Sequence, residues 1–331
     1  MGAVVAANNP EHRRGFYDSA TREVVWFTYR ELLGRSFALA ERLREQGVAQ
    51  GDYCLLLGMS PYAQVTSLYA ALSLGAIPMF LAPPKALAAQ GARVADSVVR
   101  WMSRLEQSWL LSDPEACASL GPLLADPARI CQVPPANTLS AFELRPAPEI
   151  RPLDGSSISH LQATSASTGD AKAARISHGN VLANVSAIRA ASHMRERELV
   201  CSWLPLNHDM GLIGTELLSL CHAYSLISLS AFDFVKRPLA WLKLISEHRC
   251  SLSTAPNFAY EYAALQVSAA EAERLDLSCW KVAFNGAEPI RRRSLRSFLE
   301  RFEVAGFDAR TMRPCYGLAE ATLAVTVADR E

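Results

Sequence analysis

Apolar and polar residues alternate along the first half of the chain in a pattern that predicts helices between short strands. Apolar residues recur at helical spacing from Leu32 to Leu43, after the capping-box sequence TYRE, and Gly47 can end that helix. The run YCLLL, a helix and the run IPMFL together predict a β-α-β unit. The strands predicted in this half are 53–57, 77–81, 108–112 and 129–133, with helices to about 75 and over about 86–105.

The second half repeats the alternation after a stretch rich in Pro, Ala and Ser at 134–157, which is the best linker candidate. We therefore expect one α/β subdomain over 1–150 and a second over 151–331. Alternating strands and helices predict an α/β fold with a doubly wound, mostly parallel sheet. The strands predicted in this half are 158–163, 199–203, 225–229, 251–254 and 281–285.

The composition is typical of a soluble, folded protein and argues against nucleic-acid binding. Hydrophobic residues make up 50% of the 331 positions, and Lys+Arg and Asp+Glu are equal at 33 each. A balanced charge gives no overall field to attract a polyanion. Two apolar runs, starting at Leu68 and Thr215, contain prolines or polar residues and are better explained as buried helix–turn–strand segments, so we expect no membrane span.

The cysteines indicate a reducing compartment. Eight of them are scattered among apolar neighbours without a close pair, and neither CxxC nor HExxH occurs. The first residues lack the basic start and apolar core of a secretion signal. We therefore expect a cytoplasmic protein without a structural zinc site.

Three polar clusters follow predicted strands, and the first is the loop TSASTGDAKAARISHGN, from Thr164 to Asn180. Its hydroxyls, the small residue Gly169 and the cation of Lys172 are the parts of a phosphate cradle. Ser177 can cap the helix that follows. The residues alone leave a polar surface loop equally open, because the loop matches neither common phosphate-binding fingerprint.

The second cluster, WLPLNHDMGLIG, runs from Trp203 to Gly214 directly after an apolar strand. His208 and Asp209 stand beside two glycines, which suits a catalytic or binding site. A single histidine near a core is more often a satisfied structural residue, so chemistry alone favours the structural interpretation.

The third cluster joins FNGAEPI, from Phe284, with CYGLAEATL, from Cys315. Small residues there expose backbone polar groups that suit the edge of a purine, Tyr316 offers a face for stacking, and Glu320 offers an oxygen ligand for Mg²⁺. Either piece alone is better explained as a turn glycine and an exposed glutamate.

Taken in order, the clusters resemble the signature motifs of the adenylate-forming superfamily of acyl-CoA synthetases, peptide-synthetase adenylation domains and luciferases. That family's loop reads Thr-Ser-Gly-Ser-Thr-Gly, two residues, Lys and a Ser-His-x-Asn tail. Three alanines depart from it: Ala166 and Ala173 replace glycines and Ala171 a common proline. If position 166 needs a positive φ, the Cβ costs on the order of 1 kcal/mol. The matching residues are Thr164, Ser165, Ser167, Thr168, Gly169, Lys172, Ser177, His178 and Asn180.

Within the superfamily, the segments HDMGLIG, PNFAY, FNGAEP and YGLAEATL resemble fatty acyl-AMP ligases. The resemblance implies catalytic roles for His208, Lys172 and Glu320, with Glu320 as the Mg²⁺ ligand. The implied nucleotide contacts are Thr164, Ser165, Ser167, Thr168, Gly169, Lys172, Gly286, Ala287, Glu288, Tyr316, Gly317, Leu318 and Ala319. The implied substrate contacts are His208, Asp209, Met210, Gly211, Asn257 and Phe258.

The resemblance implies two packed, mostly parallel sheets and the ATP-dependent conversion of a fatty acid to an acyl-adenylate, with release of pyrophosphate. The implied acceptor is the phosphopantetheine of an acyl carrier protein in polyketide or nonribosomal peptide biosynthesis. Because the sequence ends soon after Glu320, we expect the family's mobile C-terminal domain to be absent from it. Two alternatives stay open: an acyl-CoA synthetase, and a degenerate non-catalytic module, which the three alanines motivate.

Overall fold

The computed structural model describes residues 11–82, 87–120, 122, 129–134, 154–164, 172–195 and 197–329, and strands alternate with helices along them. The strands are β1 Arg13–Asp18, β2 Glu23–Thr28, β3 Tyr53–Leu57, β4 Ile77–Phe80, β5 Ser108–Ser112, β6 Ile130–Gln132, β7 Ile158–Thr164, β8 Lys172–Ser177, β9 Leu199–Ser202, β10 Ser225–Ser228, β11 Leu252–Pro256, β12 Val282–Gly286, β13 Met312–Gly317 and β14 Ala324–Val327.

Most helices are short, and one segment is π-helical. The α-helices are α1 Tyr29–Glu45, α2 Pro61–Leu74, α3 Leu87–Arg104, α4 Pro114–Leu120, α5 His178–Ser192, α6 Asp209–Gly211, α7 Leu218–His222, α8 Ala231–Lys236, α9 Leu239–His248, α10 Asn257–Gln266, α11 Ala269–Ala272 and α12 Arg292–Phe302. A π-helical segment, Leu212–Leu217, joins α6 to α7, and 3₁₀ turns occupy Ala309–Thr311 and Ala319–Ala321.

Contacts divide the chain into two compact units. The first comprises Met1–Tyr29 and Val181–Glu331, and the second comprises Arg30–Asn180. This division differs from the boundary near 150 that the sequence suggested, because β1 pairs in parallel with β10, with Arg14 opposite Leu226. The stretch predicted as a linker lies largely outside the described residues.

The first unit is built on a sheet with the strand order β14-β13-β12-β11-β9-β10-β1-β2 among the described residues. Its edge strands β2 and β14 run antiparallel to their neighbours, and the strands between them are parallel. The segments that follow β9, β11, β12 and β13 therefore leave the sheet at one edge. In parallel α/β sheets this carboxyl edge is where ligands bind.

A cluster of aromatic side chains fixes β12 against the helices of the first unit. Trp241 and Trp280 meet edge to face with ring centroids 5.3 Å apart, and Phe298 packs 5.1 Å from Tyr260. Polar ends of these rings are satisfied: the Tyr260 hydroxyl donates to the Phe284 carbonyl at 2.7 Å. The backbone at the start of FNGAEP is thus held by a buried side chain from α10.

A buried ion pair ties the π-helical segment to β1. Arg14 and Glu216 are both fully buried, and Arg14 Nη2 lies 2.8 Å from Glu216 Oε2. The same guanidinium donates to Ser228 Oγ and to the carbonyls of Gly15 and Leu226. These contacts use all the N–H donors of the Arg14 guanidinium. The pair therefore fixes the helical segment relative to β1 and β10.

The second unit contains a parallel sheet in the order β4-β3-β5-β6 and an antiparallel pair, β7-β8, among the residues that the structure describes. Leu55, Leu110, Val98, Trp101 and Leu161 belong to its buried core. The prediction of an α/β fold with mostly parallel sheets is confirmed. Among the described residues, no helix is both long enough and apolar enough to cross a membrane.

Candidate active site

A pocket opens at the carboxyl edge of the first unit's sheet. Small-molecule ligands of parallel α/β sheets commonly bind at this edge. Its walls come from α5, from the start of the HDMGLIG helix and from the ends of β11 to β14. The lining residues are Ile188, Asp209, Met210, Gly214, Thr254, Phe284, Ala287, Cys315, Tyr316, Gly317, Leu323, Ala324 and Val327.

The pocket brings together residues of the second and third sequence clusters. Asp209 and Met210 come from HDMGLIG, Ala287 from FNGAEP, and Tyr316 and Gly317 from YGLAE. Tyr316 is 60% exposed, so one face of its ring is accessible for stacking. Residues from separate sequence motifs therefore line the same pocket.

The remaining predicted contacts from these clusters do not line this pocket. The Glu288 carboxylate accepts the Phe258 N–H at 2.6 Å, which satisfies a free donor at the start of α10. Asn257 is buried, with its amide donating to Ser294 Oγ and accepting from Arg291 N–H. The predicted residues outside the lining are His208, Gly211, Asn257, Phe258, Gly286, Glu288, Leu318, Ala319 and Glu320.

The motif glycines are required by backbone packing. A Cβ on Gly286 would lie 2.7 Å from Cys315 Sγ, and one on Gly317 would lie 2.0 Å from the Leu323 carbonyl oxygen. Gly211 is similar, since its Cβ would lie 2.3 Å from the Pro205 carbonyl oxygen. None of these glycines has a positive φ. Their absent side chains let strands and turns approach closely and thereby shape the pocket.

At the pocket, positive φ occurs instead at two residues that are not glycine. Ala287 has φ 66°, and Thr322 has φ 74° and ψ −62°. The Leu323 N–H donates to the Ala321 carbonyl at 3.0 Å, so Thr322 is the centre of a γ-turn of the rare positive-φ type. Each such residue costs on the order of 1 kcal/mol or more. Strain of this kind is concentrated at functional sites, and both residues adjoin the pocket wall.

The carboxyl of Asp209 is altered by its position in the pocket. Burial raises the pKa of its carboxyl above the ordinary value, the Met210 N–H and His208 oppose the rise, and Glu320 adds to it. Met210 N–H donates to Asp209 Oδ1 at 2.7 Å. His208 and Glu320 both influence the pKa of this carboxyl. Both side chains are therefore within electrostatic range of the pocket, although neither lines it.

Cys315 contributes to the wall as an apolar group. Burial raises the pKa of its thiol to about 11, and its Sγ donates to the Asn285 carbonyl at 3.4 Å. A thiol with this pKa is protonated at neutral pH and is a poor nucleophile. The site therefore provides no cysteine chemistry at this position.

The geometry is compatible with a magnesium ion held mainly by a ligand's phosphates. Among the described residues, no group of three or more His, Cys, Asp and Glu side chains could hold a metal alone. Mg²⁺ is commonly bound by one or two carboxylates together with substrate phosphates. The exposed Glu320, close enough to influence Asp209, fits that kind of site.

The first sequence cluster is described only at its ends. Thr164 ends β7 and Lys172 begins β8, and the two residues oppose each other in the antiparallel register. The strand β8 was not predicted, because KAARIS has no apolar alternation. Ser177 caps α5 as predicted, accepting the Asn180 N–H at 3.1 Å. The residues outside the described part are Ser165, Ala166, Ser167, Thr168, Gly169 and Ala171.

Sequence reasoning missed the aliphatic wall of the pocket. Ile188 on α5 and Val327 on β14 line it, as do Thr254, Leu323 and Ala324. An apolar residue at helical or strand spacing looks the same whether it faces a core or a cavity. Of the lining residues that had been given no role, Gly214, Phe284, Cys315 and Leu323 lay within motifs that the sequence singled out.

Comparisons with known proteins identify relatives of this chain. The chain matches the family described as AMP-binding enzyme over residues 3–331. It is 29% identical over 326 residues to the medium-chain-fatty-acid–acyl-carrier-protein ligase JamA of Moorena producens. That match covers 94% of this chain and 52% of the relative. It is 39% identical over 183 residues to the corresponding ligase TtuA of Teredinibacter turnerae, covering 55% of this chain and 28% of the relative.

Among solved structures, a fatty acyl-adenylate ligase from L. pneumophila, in complex with acyl adenylate and pyrophosphate, is similar with a TM-score of 0.87 and 31% identity. The match covers 99% of this chain and 56% of that one. The chain thus spans about half the length of these relatives, or less. By its match over nearly all residues, the chain belongs to the AMP-binding enzyme family.

Proposed function

We propose that this chain forms the nucleotide and acyl site of an enzyme that activates a fatty acid as an acyl-adenylate. The observation that carries the proposal is the pocket itself. Its lining includes Tyr316 and the strained Ala287 at the end of a parallel sheet, together with aliphatic groups such as Ile188 and Met210. A ligand with a flat polar end and an aliphatic end suits such a lining.

In the proposed reaction, a carboxylate oxygen of the fatty acid attacks the α-phosphorus of ATP. A new phosphorus–oxygen bond forms, the bond to the bridging oxygen of the β-phosphate breaks, and pyrophosphate leaves with the electron pair. Both reactants are anions, so the protein must hold them together and offset charge on the leaving group. Positioning and electrostatic stabilisation therefore account for most of the catalysis.

We assign adenine to the space between Tyr316 and the backbone at Ala287, beside Gly317. The pocket lining supports this assignment. The Glu288 carboxylate accepts the Phe258 N–H, which indicates that Glu288 shapes the loop. His208 is assigned to orientation of the fatty carboxylate, next to the half-buried Asp209.

The aliphatic chain is assigned to the wall formed by Ile188, Met210, Gly214, Leu323 and Val327. Each methylene buried there would contribute roughly 0.8 kcal/mol. Chain length is therefore an effective basis for substrate selection.

Lys172 and the hydroxyl loop that it follows are assigned to the β- and γ-phosphates, and Glu320 to Mg²⁺. When bound, the ion would neutralise charge on the phosphate oxygens. The chain's own contribution is the exposed carboxylate of Glu320 on the 3₁₀ turn Ala319–Ala321.

We further propose that the acyl group passes to the phosphopantetheine of an acyl carrier protein, because the relatives JamA and TtuA are named as acyl-carrier-protein ligases. A cytoplasmic setting is consistent with eight cysteines that are all free.

The test is ATP–pyrophosphate exchange by the natural protein at its full length, with fatty acids of graded chain length. We expect exchange that depends on a fatty acid and falls at least about tenfold in Glu320→Gln, because a neutral amide binds Mg²⁺ weakly. Transfer to a carrier protein or to CoA, measured in parallel, identifies the acceptor. No exchange with any fatty acid, where a known fatty acyl-AMP ligase is active, would favour the non-catalytic module.

A further inference from the structure

We propose that Asn184 is a positioning residue that clamps the strained turn carrying Glu320 and the pocket residue Leu323. The inference rests on the proposed function, since it assigns Asn184 to the same nucleotide and acyl site. Asn184 lies on α5, and its side chain does not line the pocket.

One amide side chain holds both sides of the turn. Asn184 Nδ2 donates to the Ala324 carbonyl at 3.0 Å and to the Ala321 carbonyl at 3.5 Å, and its Oδ1 accepts the Ala324 N–H at 3.0 Å. Thr322, the centre of the γ-turn, lies between these two residues. The side chain thus bridges the turn from outside and reproduces a pair of strand-like backbone hydrogen bonds.

The turn needs a restraint from outside because a positive φ is unfavourable for its central residue, Thr322. Thr322 is β-branched and buried, and a β-branched residue with positive φ is a conformational outlier. Such backbone persists only where its surroundings over-determine it. Three hydrogen bonds from Asn184, more than a hundred positions away in sequence, hold the turn in this conformation.

A shift of the turn would change the site directly. Glu320 belongs to the 3₁₀ turn Ala319–Ala321, whose last carbonyl Asn184 contacts. Leu323 and Ala324 line the pocket, and the Leu323 carbonyl lies where a Cβ of Gly317 would be, 2.0 Å away. Because Gly317 is also a lining residue, moving the turn would alter the proposed metal carboxylate, the acyl wall and the adenine wall together.

The experiment is a double-mutant cycle between Asn184→Ala and Thr322→Gly. Glycine adopts positive φ readily, so it removes the strain that the clamp is proposed to resist. The readout is the dissociation constant of a non-hydrolysable fatty acyl-sulfamoyl adenosine, measured by calorimetry. Ser192→Ala is the matched control, since Ser192 is a buried residue of the same helix that bonds only within it.

We expect Asn184→Ala to weaken binding about tenfold in the natural background and less than about threefold in the Thr322→Gly background, because contacting residues couple through the turn. Ser192→Ala should change the affinity less than about twofold once thermal unfolding confirms that it is folded. Equal losses in both backgrounds would mean that Asn184 acts without the turn, which overturns the proposal.

Amide hydrogen exchange gives a readout that needs no ligand. In Asn184→Ala the amides of Leu323 and Ala324 should exchange faster, while amides of the β3–β5 sheet keep their rates. If Asn184→Ala does not fold, Asn184→Asp retains the acceptor for Ala324 N–H and removes both donors, and the same acceleration is expected. Unchanged exchange would contradict the clamp, whereas failure of the natural chain to bind the analogue would count against the proposed function.

Discussion

At the residue scale, the backbone conformations that matter for the site are found at residues whose type gives no sign of them. Glycines in the motifs suggest open backbone for a purine, but Gly286 and Gly317 are needed because neighbouring backbone occupies the place of their side chains. At the pocket, positive φ angles occur instead at Ala287 and Thr322. An alanine and a threonine give no local signal of strain, so only the fold reveals them.

Gly214 provides a residue-scale prediction about chain length. A Cβ there would lie 3.0 Å from Leu323 Cδ2, and both residues line the pocket. We expect Gly214→Ala to narrow the acyl wall and to lower kcat/KM for long fatty acids by roughly fourfold for each methylene that no longer fits. Pyrophosphate exchange across a series of fatty acids measures this, with short acids as the internal reference.

The matched control for Gly214→Ala is the double variant Gly214→Ala/Leu323→Ala. Removing the leucine side chain restores the space that the new methyl group takes, so the long acids should recover. A chain-length profile that stays the same in all variants would place the acyl chain elsewhere.

At the element scale, the HDMGLIG segment depends on contacts far from it in sequence. Helix α6 carries Met210 and its π-helical continuation carries Gly214, and both residues line the pocket. Buried Glu216 anchors the continuation through Arg14 on β1. Removing one partner of such a pair leaves an uncompensated buried charge. The hairpin β1–β2 therefore belongs to the support of the site, although its sequence shows no functional motif.

Strand β7 provides an element-scale prediction about pH. Burial, with a smaller contribution from His178, lowers the pKa of His160 to about 4. An unfolded histidine titrates near 6.5, so the unfolded chain takes up a proton that the folded chain excludes. The stability from this residue is fully present above about pH 6.5 and is lost as pH falls toward 4.

We expect the free energy of unfolding to fall between pH 7 and pH 4 by about 3 kcal/mol more in the natural chain than in His160→Gln. Urea denaturation at several pH values measures the difference. Each protein is compared with itself at different pH values. Any effect of the Gln substitution that does not depend on pH therefore cancels. Parallel pH profiles for the two proteins would show that His160 is protonated equally in both states.

At the scale of the whole molecule, local apolar runs were sufficient to predict the inner strands. YCLLL and SWLLS are buried on both faces, and the structure has strands at the same positions. β1 was missed because its pairing is non-local: Arg14 lies opposite Leu226, and its buried arginine is compensated only by Glu216. For the same reason the sequence did not reveal that the N-terminal residues join the later unit.

The site was predictable where its chemistry is carried by unusual combinations of residues. The HDMGLIG, FNGAEP and YGLAE segments contain polar and small residues directly after apolar strands, and members of all three line one pocket. The apolar wall and the Asn184 clamp could not be predicted, because an isoleucine or an asparagine within a helix has many ordinary structural explanations.

The most direct test of the central claim is a crystal structure of this chain with a non-hydrolysable fatty acyl-adenylate analogue. The proposed site predicts adenine against Tyr316 and Ala287, and an acyl chain that passes Met210 and Gly214 toward Ile188. An analogue bound away from this pocket, or bound with its adenine away from Tyr316, would contradict it.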